Sequence, residues 1–177
     1  MQLSDIKVLG PILESNRAHD SDVDALEEML GFEMPRGYRE YVTTLGYGVL
    51  ADNFIVYTPD WLFHYRDCRS KYLSDYWFWG DGNGVLAEEQ VGEAVDIAHY
   101  EATGDIFVVH PTEKDRIVLL PRHYETTYWA GNGGLYEAIE WAHTEAMGVG
   151  VHYEIEDWRV FSPITVENAI GKHLPGA

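Results

Sequence analysis

One cysteine, Cys68, is all that the 177 residues carry, so no intrachain disulfide can form. That economy suits a reducing cytosol without requiring one. Cations are scarce: twelve Lys and Arg stand against thirty Asp and Glu, for a formal net charge of −18. From Leu73 to Glu113 there is no Lys or Arg among nine acids, and from His123 to Trp158 none among seven. Phosphate recognition needs basic residues, so nucleic acid and anionic membranes are poor partners. No apolar run approaches the ~20 residues that cross a bilayer. Met1 to Gly10 has neither the basic start nor the apolar stretch of a secretory signal. A cytoplasmic protein is therefore expected. No Gly-x-Ser-x-Gly elbow is present, and no glycine loop ends in the Lys-Ser/Thr of a nucleotide-binding P-loop.

What the chain does have is apolar and aromatic mass, 46% and 14% of its residues. A chain of 20.2 kDa should bury about 70% of its unfolded surface, enough for a core without metal or disulfide. The stretch from Ser21 to Gly48 organises the remainder. Ser21 is a candidate N-cap, and Asp22 and Asp24 suit the positive end of a helix. Val23, Leu26 and Leu30 recur on one helical face, and Gly31 supplies the stop. Met34-Pro35 restarts a helix, with proline at its first position. Tyr38, Tyr41, Val42 and Leu45 then follow at helical spacing, so helices are predicted over 21–30 and 35–45.

Ahead of this pair, Ile6, Val8, Leu9, Ile12 and Leu13 read as an edge segment. After it, Phe54 to Tyr57 reads as a strand, and Thr58-Pro59 opens a helix with Leu62, Tyr65 and Tyr72 on one face. Arg66, Arg69 and Lys71 fall toward the end of that helix, where the dipole favours cations. Tyr76 to Trp79 is an aromatic strand with Trp77 and Trp79 on one face and Tyr76 and Phe78 on the other, which implies cover on both sides. Ala94–Tyr100, Asp105–His110 and Arg116–Leu120 are further strands, with Tyr124–Trp129 after them. Their short connections force antiparallel neighbours, because a parallel crossover needs a dozen or more residues. Leu135, Ala138, Ile139, Ala142 and Ala146 mark an amphipathic helix closed by Gly148. Tyr153–Phe161 reads as a late strand, and Ser162-Pro163 as the start of a last helix carrying Val166, Ala169 and Ile170. The expectation is an α+β fold: one domain over 1–177 with a largely antiparallel sheet of about five or six strands flanked by helices. Residues 22–147 form its core, and 148–177 an extension packed on that core.

Candidate chemistry reduces to few places. Gly80 to Gly84 reads as a tight turn and Gly131 to Gly134 as a helix cap. Glu140-x-x-His143 has the spacing of one half of a di-iron site, but no second copy exists. His99, His110 and His123 lie on separate strands, and no metal or cofactor is expected. Cys68 sits among Arg66, Arg69 and Lys71, which could lower a thiol pKa, yet it reads as an ordinary helix thiol. The carboxylates are too numerous to single out a catalytic pair. Six tryptophans and twelve tyrosines belong mostly to the core, with some available as interface anchors.

Gly31-Phe32, Met34-Pro35, Tyr38-x-x-Tyr41-Val42 and Leu45-Gly46, with Trp79-Gly80-Asp81-Gly82-Asn83-Gly84 later, resemble the SUKH superfamily over roughly Asp22 to Met147. That superfamily contains the fungal Smi/Knr-type cell-wall regulators and many bacterial immunity proteins of polymorphic toxin systems. The resemblance implies a SUKH-like domain without enzymatic chemistry that binds a protein, most often a cognate toxin. A regulatory or scaffold module of the Smi/Knr type is the alternative. The acid excess fits a basic partner such as a nuclease-type toxin. The residues expected to meet it are Glu88, Glu89 and Glu93 in one basic-free stretch, and Glu154, Glu156 and Asp157 in the other.

Overall fold

Helical spacing gives way to strand-forming runs near residue 48, and the observed elements follow that switch. The computed structural model describes residues 1–75, 84–122, 126–144 and 159–164. Strand β1 (Lys7–Val8) precedes helices α1 (Asp20–Leu30) and α2 (Tyr38–Thr44). Strands β2 (Gly48–Leu50) and β3 (Phe54–Val56) form a hairpin, followed by α3 (Pro59–Asp75) and α4 (Glu88–Glu93). The meander β4 (Val95–Tyr100), β5 (Asp105–Val109), β6 (Ile117–Leu120) and β7 (Tyr128–Trp129) leads to α5 (Leu135–Thr144) and β8 (Val160–Pro163). All eight strands join one sheet in the order β1-β8-β2-β3-β4-β5-β6-β7. Every pairing is antiparallel except that of β1 with β8. The fold is α+β, with more strands than periodicity announces. The additional ones, β1 and β2, are two and three residues long, too short to show an alternation, whereas β7 falls within the expected Tyr124–Trp129 strand.

The lead-in is an edge, as Ile6 to Leu13 suggest. Ile6 and Ile12 pack on the core, while Val8, Leu9 and Leu13 stay exposed. The helix α1 begins one residue before Ser21, and its N-cap is His19. The reason is Asp22, whose carboxylate accepts the His19 N–H at 2.7 Å; an acid in the first turn also suits the helix dipole. Gly31 closes α1 in the left-handed conformation, as expected. The second helix starts three residues later than Pro35. Gly37 adopts φ 87°, which interrupts the helical path, and the Pro35 carbonyl instead accepts the Tyr38 N–H across a turn at 3.0 Å. Gly46 after α2 is enforced by crowding: a Cβ there would lie 1.9 Å from the Asn16 carbonyl oxygen.

Ser162 and Pro163 belong to β8 rather than to a helix start. They pair with Val49 and Gly48 of β2, and inter-strand pairing outweighs the local helix-start signal. The short helix α4 had no sequence expectation at all. The strand expected at Tyr76–Trp79, most of the Gly80–Gly84 turn, the Gly148 stop, most of the Tyr153–Phe161 strand and the helix at Val166–Ile170 lie outside the described residues, as do the side chains of Cys68 and Tyr72.

Alternate residues of β5 and β6 enter two different cores. Phe107, Val109, Ile117 and Leu119 join a large cluster with Val23 and Leu26 of α1, Tyr38 and Tyr41 of α2, and Ile139 of α5. Ile106, Val108, Val118 and Leu120 join a smaller one with Leu73 of α3 and Val91 of α4. Burial on both faces explains why these strands read as continuous apolar runs.

Tyr38 and Tyr41 are both fully buried but differ at their hydroxyls. Tyr38 donates to the Tyr57 carbonyl at 2.8 Å. The Tyr41 hydroxyl has no hydrogen-bond partner, and its ring meets Phe161 edge-on at 6.1 Å. Tyr41→Ala should therefore lose about 3–5 kcal/mol. Tyr41→Phe should match or exceed the wild type, because it removes a desolvated hydroxyl that gains nothing. Tyr38→Phe should cost about 1 kcal/mol or more. Urea unfolding of the three variants checks this order, and a Tyr41→Phe variant less stable than Tyr38→Phe would contradict it.

Candidate functional site

Helix α3 starts where Pro59 suits the first helical turn and runs for 17 residues. Leu62, Arg69 and Leu73, spaced by seven and four, fall on one stripe of it, and all three are buried. A buried arginine on an apolar stripe needs a partner. The expectation that Arg66, Arg69 and Lys71 serve the end of this helix is thus corrected: the helix continues to Asp75, and no basic residue lies in its last turn. Arg66 and Lys71 remain exposed.

The partner of Arg69 is Asp96, whose side chain is 0% exposed. A β-bulge at Asp96–Ala98 in β4 brings it there. Asp96 lies opposite Val108, whereas Ala98 lies opposite Phe107. Without the bulge, residues two apart would share a face; the extra residue, Ile97, puts Asp96 and Ala98 on opposite faces. Arg69 Nε donates to Asp96 Oδ2 at 2.6 Å, and Arg69 Nη2 donates to the same oxygen. The other oxygen, Oδ1, is closed to solvent and has no hydrogen-bond partner. Burial pushes the Asp96 carboxyl up to about 6, although the Arg69 charge and hydrogen bonds pull it the other way. Above Arg69, Tyr57 and Trp61 stack almost parallel with ring centroids 3.6 Å apart.

Beside this pair lies a cavity of about 270 Å³. Leu26, Met29 and Leu30 of α1 and Leu62 and Leu73 of α3 supply apolar wall. Arg66, Arg69, Glu93 and Asp96 supply the charged lining. Among the described residues no Ser, Thr, Cys or His lines it. The described lining combines apolar wall with charged groups that can hold a molecule.

Two groups of acids, on α1 and α4, contrast in their pairing, and Glu93 of the second also lines the cavity. On α1, Asp20, Asp24 and Glu27 converge on Arg39 at 3.5, 2.8 and 2.7 Å. On α4, Glu88, Glu89 and Glu93 are exposed, while Val91 anchors the helix to the smaller core. Among the described residues, the one ion pair of these three is Glu93 with His110, at 3.5 Å. Glu89 and Glu93, four apart, lie on the same side of the helix. The structure thus brings the first expected cluster together on one exposed helix. Glu154, Glu156 and Asp157 lie outside the described residues.

The histidines do not converge. His99 stacks on Tyr57 at 5.3 Å, and His110 Nδ1 lies 2.8 Å from Thr112 Oγ1; His123 is outside the described residues. Glu140 and His143 part company as well. Glu140 pairs with the Met1 ammonium at 2.6 Å, while His143 Nδ1 lies 2.7 Å from the Ile139 carbonyl oxygen and burial pushes its pKa down. Among the described residues no group of three or more His, Cys, Asp or Glu is placed to hold a metal ion, and no helix is long and apolar enough to cross a membrane.

Sequence reasoning did not single out Asp96. Its signal was present in Val95-Asp96-Ile97, a charge in the middle of an apolar strand, which asks for a buried cation. Comparison with protein-family models gives no match, and no curated protein matches the chain.

Asp96→Ala should destabilise by about 3–5 kcal/mol, because it leaves the Arg69 charge buried without its partner. The double variant Arg69→Met/Asp96→Leu should recover most of that loss in urea unfolding. The pH dependence has a defined sign. The Asp96 pKa is higher in the fold than the ~3.9 of an unfolded aspartate, so its contribution is full below pH ~4 and fades as pH rises through about 6. Thermal melts between pH 4 and 7 should show the wild type losing stability relative to the double variant as pH rises. Parallel curves would refute the raised carboxyl.

Proposed function

We propose that this chain is a non-enzymatic, cytoplasmic protein-binding domain that engages a basic protein through the acidic face of α4. Its setting is the bacterial toxin immunity that the SUKH-like resemblance implies, with a basic, nuclease-type toxin domain as partner. The observation that carries this reading is the contrast between the two acidic sets. Arg39 pairs with three of the five carboxylates of α1, whereas Glu88 and Glu89 have no ion pair among the described residues and Glu93 has only His110. Uncompensated surface charge of one sign attracts partners of the other sign and speeds their encounter. Like charges on one short helix also repel each other, a cost that a bound cation relieves.

The test begins with co-expression of the chain with a toxin encoded directly upstream, followed by association kinetics. Reversing Glu88, Glu89 and Glu93 to Lys should slow association about tenfold or more at low salt. The difference should shrink as the Debye length falls to about 8 Å at physiological ionic strength. Stability should change little, since exposed substitutions usually shift it by about 0.5 kcal/mol or less. An unchanged rate and salt dependence would reduce the α4 acids to a solubility feature. Capture of a partner without a toxin domain would favour the Smi/Knr-type regulatory module.

A further inference from the structure

We propose that the cavity between α1, α3 and the β4 bulge is a binding site for a small neutral amphiphile, an apolar body carrying an N–H or O–H donor, of the primary amide or alcohol class. This proposal does not rest on the protein partner suggested for α4, although Glu93 belongs to both the cavity lining and the acidic face.

Four observations lead there. First, the cavity holds about 270 Å³, room for roughly nine water molecules at ~30 Å³ each and close to the lower bound for small-molecule pockets. Second, Leu30, Leu62 and Leu73 line it with aliphatic surface, which favours an apolar body over water. Third, the fully buried Asp96 carboxylate is half satisfied. Both Arg69 hydrogen bonds land on Oδ2, and Oδ1 has no donor. A buried acceptor left unmade is costly, so a ligand that brings a donor to it gains more than the same group would gain in water. Oδ1 is closed in this state, but Asp96 lines the cavity and χ2 of a carboxylate turns in a broad well, so the proposal requires a rotation that brings the oxygen to the ligand.

The fourth observation selects for charge. Among the described residues the lining contains two cations, Arg66 and Arg69, and two anions, Glu93 and Asp96, whose formal charges cancel. A cationic or anionic ligand would lose its hydration on entry and meet no net field of opposite sign. A neutral donor loses far less hydration and still completes Asp96.

The test is a titration of isotopically labelled protein with hexanamide, followed by NMR. Saturable shifts should appear at the backbone amides of Val95 and Asp96 and at the Arg69 Nε–H. Methyl pentanoate, of similar size but with no donor, should bind roughly tenfold more weakly or worse. Hexylammonium and hexanoate should also bind more weakly than the amide. Met29→Trp, which places an indole in the cavity from the α1 side, should abolish the shifts while leaving the melting curve cooperative. If that variant does not fold, the amide–ester comparison on the wild type still decides. Equal affinity for amide and ester, tighter binding of either charged probe, or no saturable shift at any of the three reporters would overturn the proposal.

Discussion

The central strands β5 and β6 are buried on both faces, and most of the remaining structure is arranged to meet that requirement. Their alternate residues enter two clusters, so each face must be covered by something apolar. One cluster is closed by α1, α2 and α5 with large side chains such as Tyr38, Tyr41 and Ile139. Among the described residues the other receives Leu73 near the end of α3, the small α4, and neighbouring residues such as Leu86 and Ala94. The cavity is lined by residues of both clusters, among them Leu26 and Leu62 of the first and Leu73 of the second, and the β4 bulge places Asp96, the one carboxylate of the strand, beside it.

A charge in that position is an expensive choice. A buried ion pair seldom improves on hydrophobic groups of the same volume, because the loss of hydration offsets the attraction. Here the geometry is less favourable still, since Nε and Nη2 of Arg69 both address one oxygen of Asp96 and leave the other bare. A well-satisfied structural pair would use the two parallel hydrogen bonds that a guanidinium and a carboxylate can form. The pair gives α3 and β4 a fixed register, and it leaves a polar site inside an apolar wall.

The net charge is likewise less uniform than its sum suggests. Arg39 gathers three carboxylates of α1 and α2's neighbourhood into one network, and Arg36 lies 3.2 Å from Asp115 and 3.6 Å from Glu137. These acids support the packing of helices and loops. The acids of α4 stand apart on a helix held mainly by Val91, which leaves their field directed outward.

Much of this was legible in the residues themselves. The helical spacing of Tyr38, Tyr41, Val42 and Leu45 and the short links around Gly104 and Lys114 determined a buried second helix and an antiparallel meander, because period and loop length are local properties. The start of α2, by contrast, depended on Gly37 turning the chain beside Tyr136, where a Cβ would come within 2.9 Å of the ring. The strand at Ser162-Pro163 depended on β2 being available as a partner. The exposed acids of α4 were named from sequence as a basic-free run, but that Glu88 and Glu89 lack an ion pair among the described residues while Glu93 meets His110 is a matter of which cations reach them. Asp96 is the clearest division between the two sources. Its sequence places a carboxylate in an apolar strand and so requires a cation somewhere. Only tertiary structure decided that the cation is Arg69, 27 residues away, that a bulge points the two at each other, and that one oxygen is left open, because those outcomes arise from contacts between distant segments rather than from neighbours along the chain.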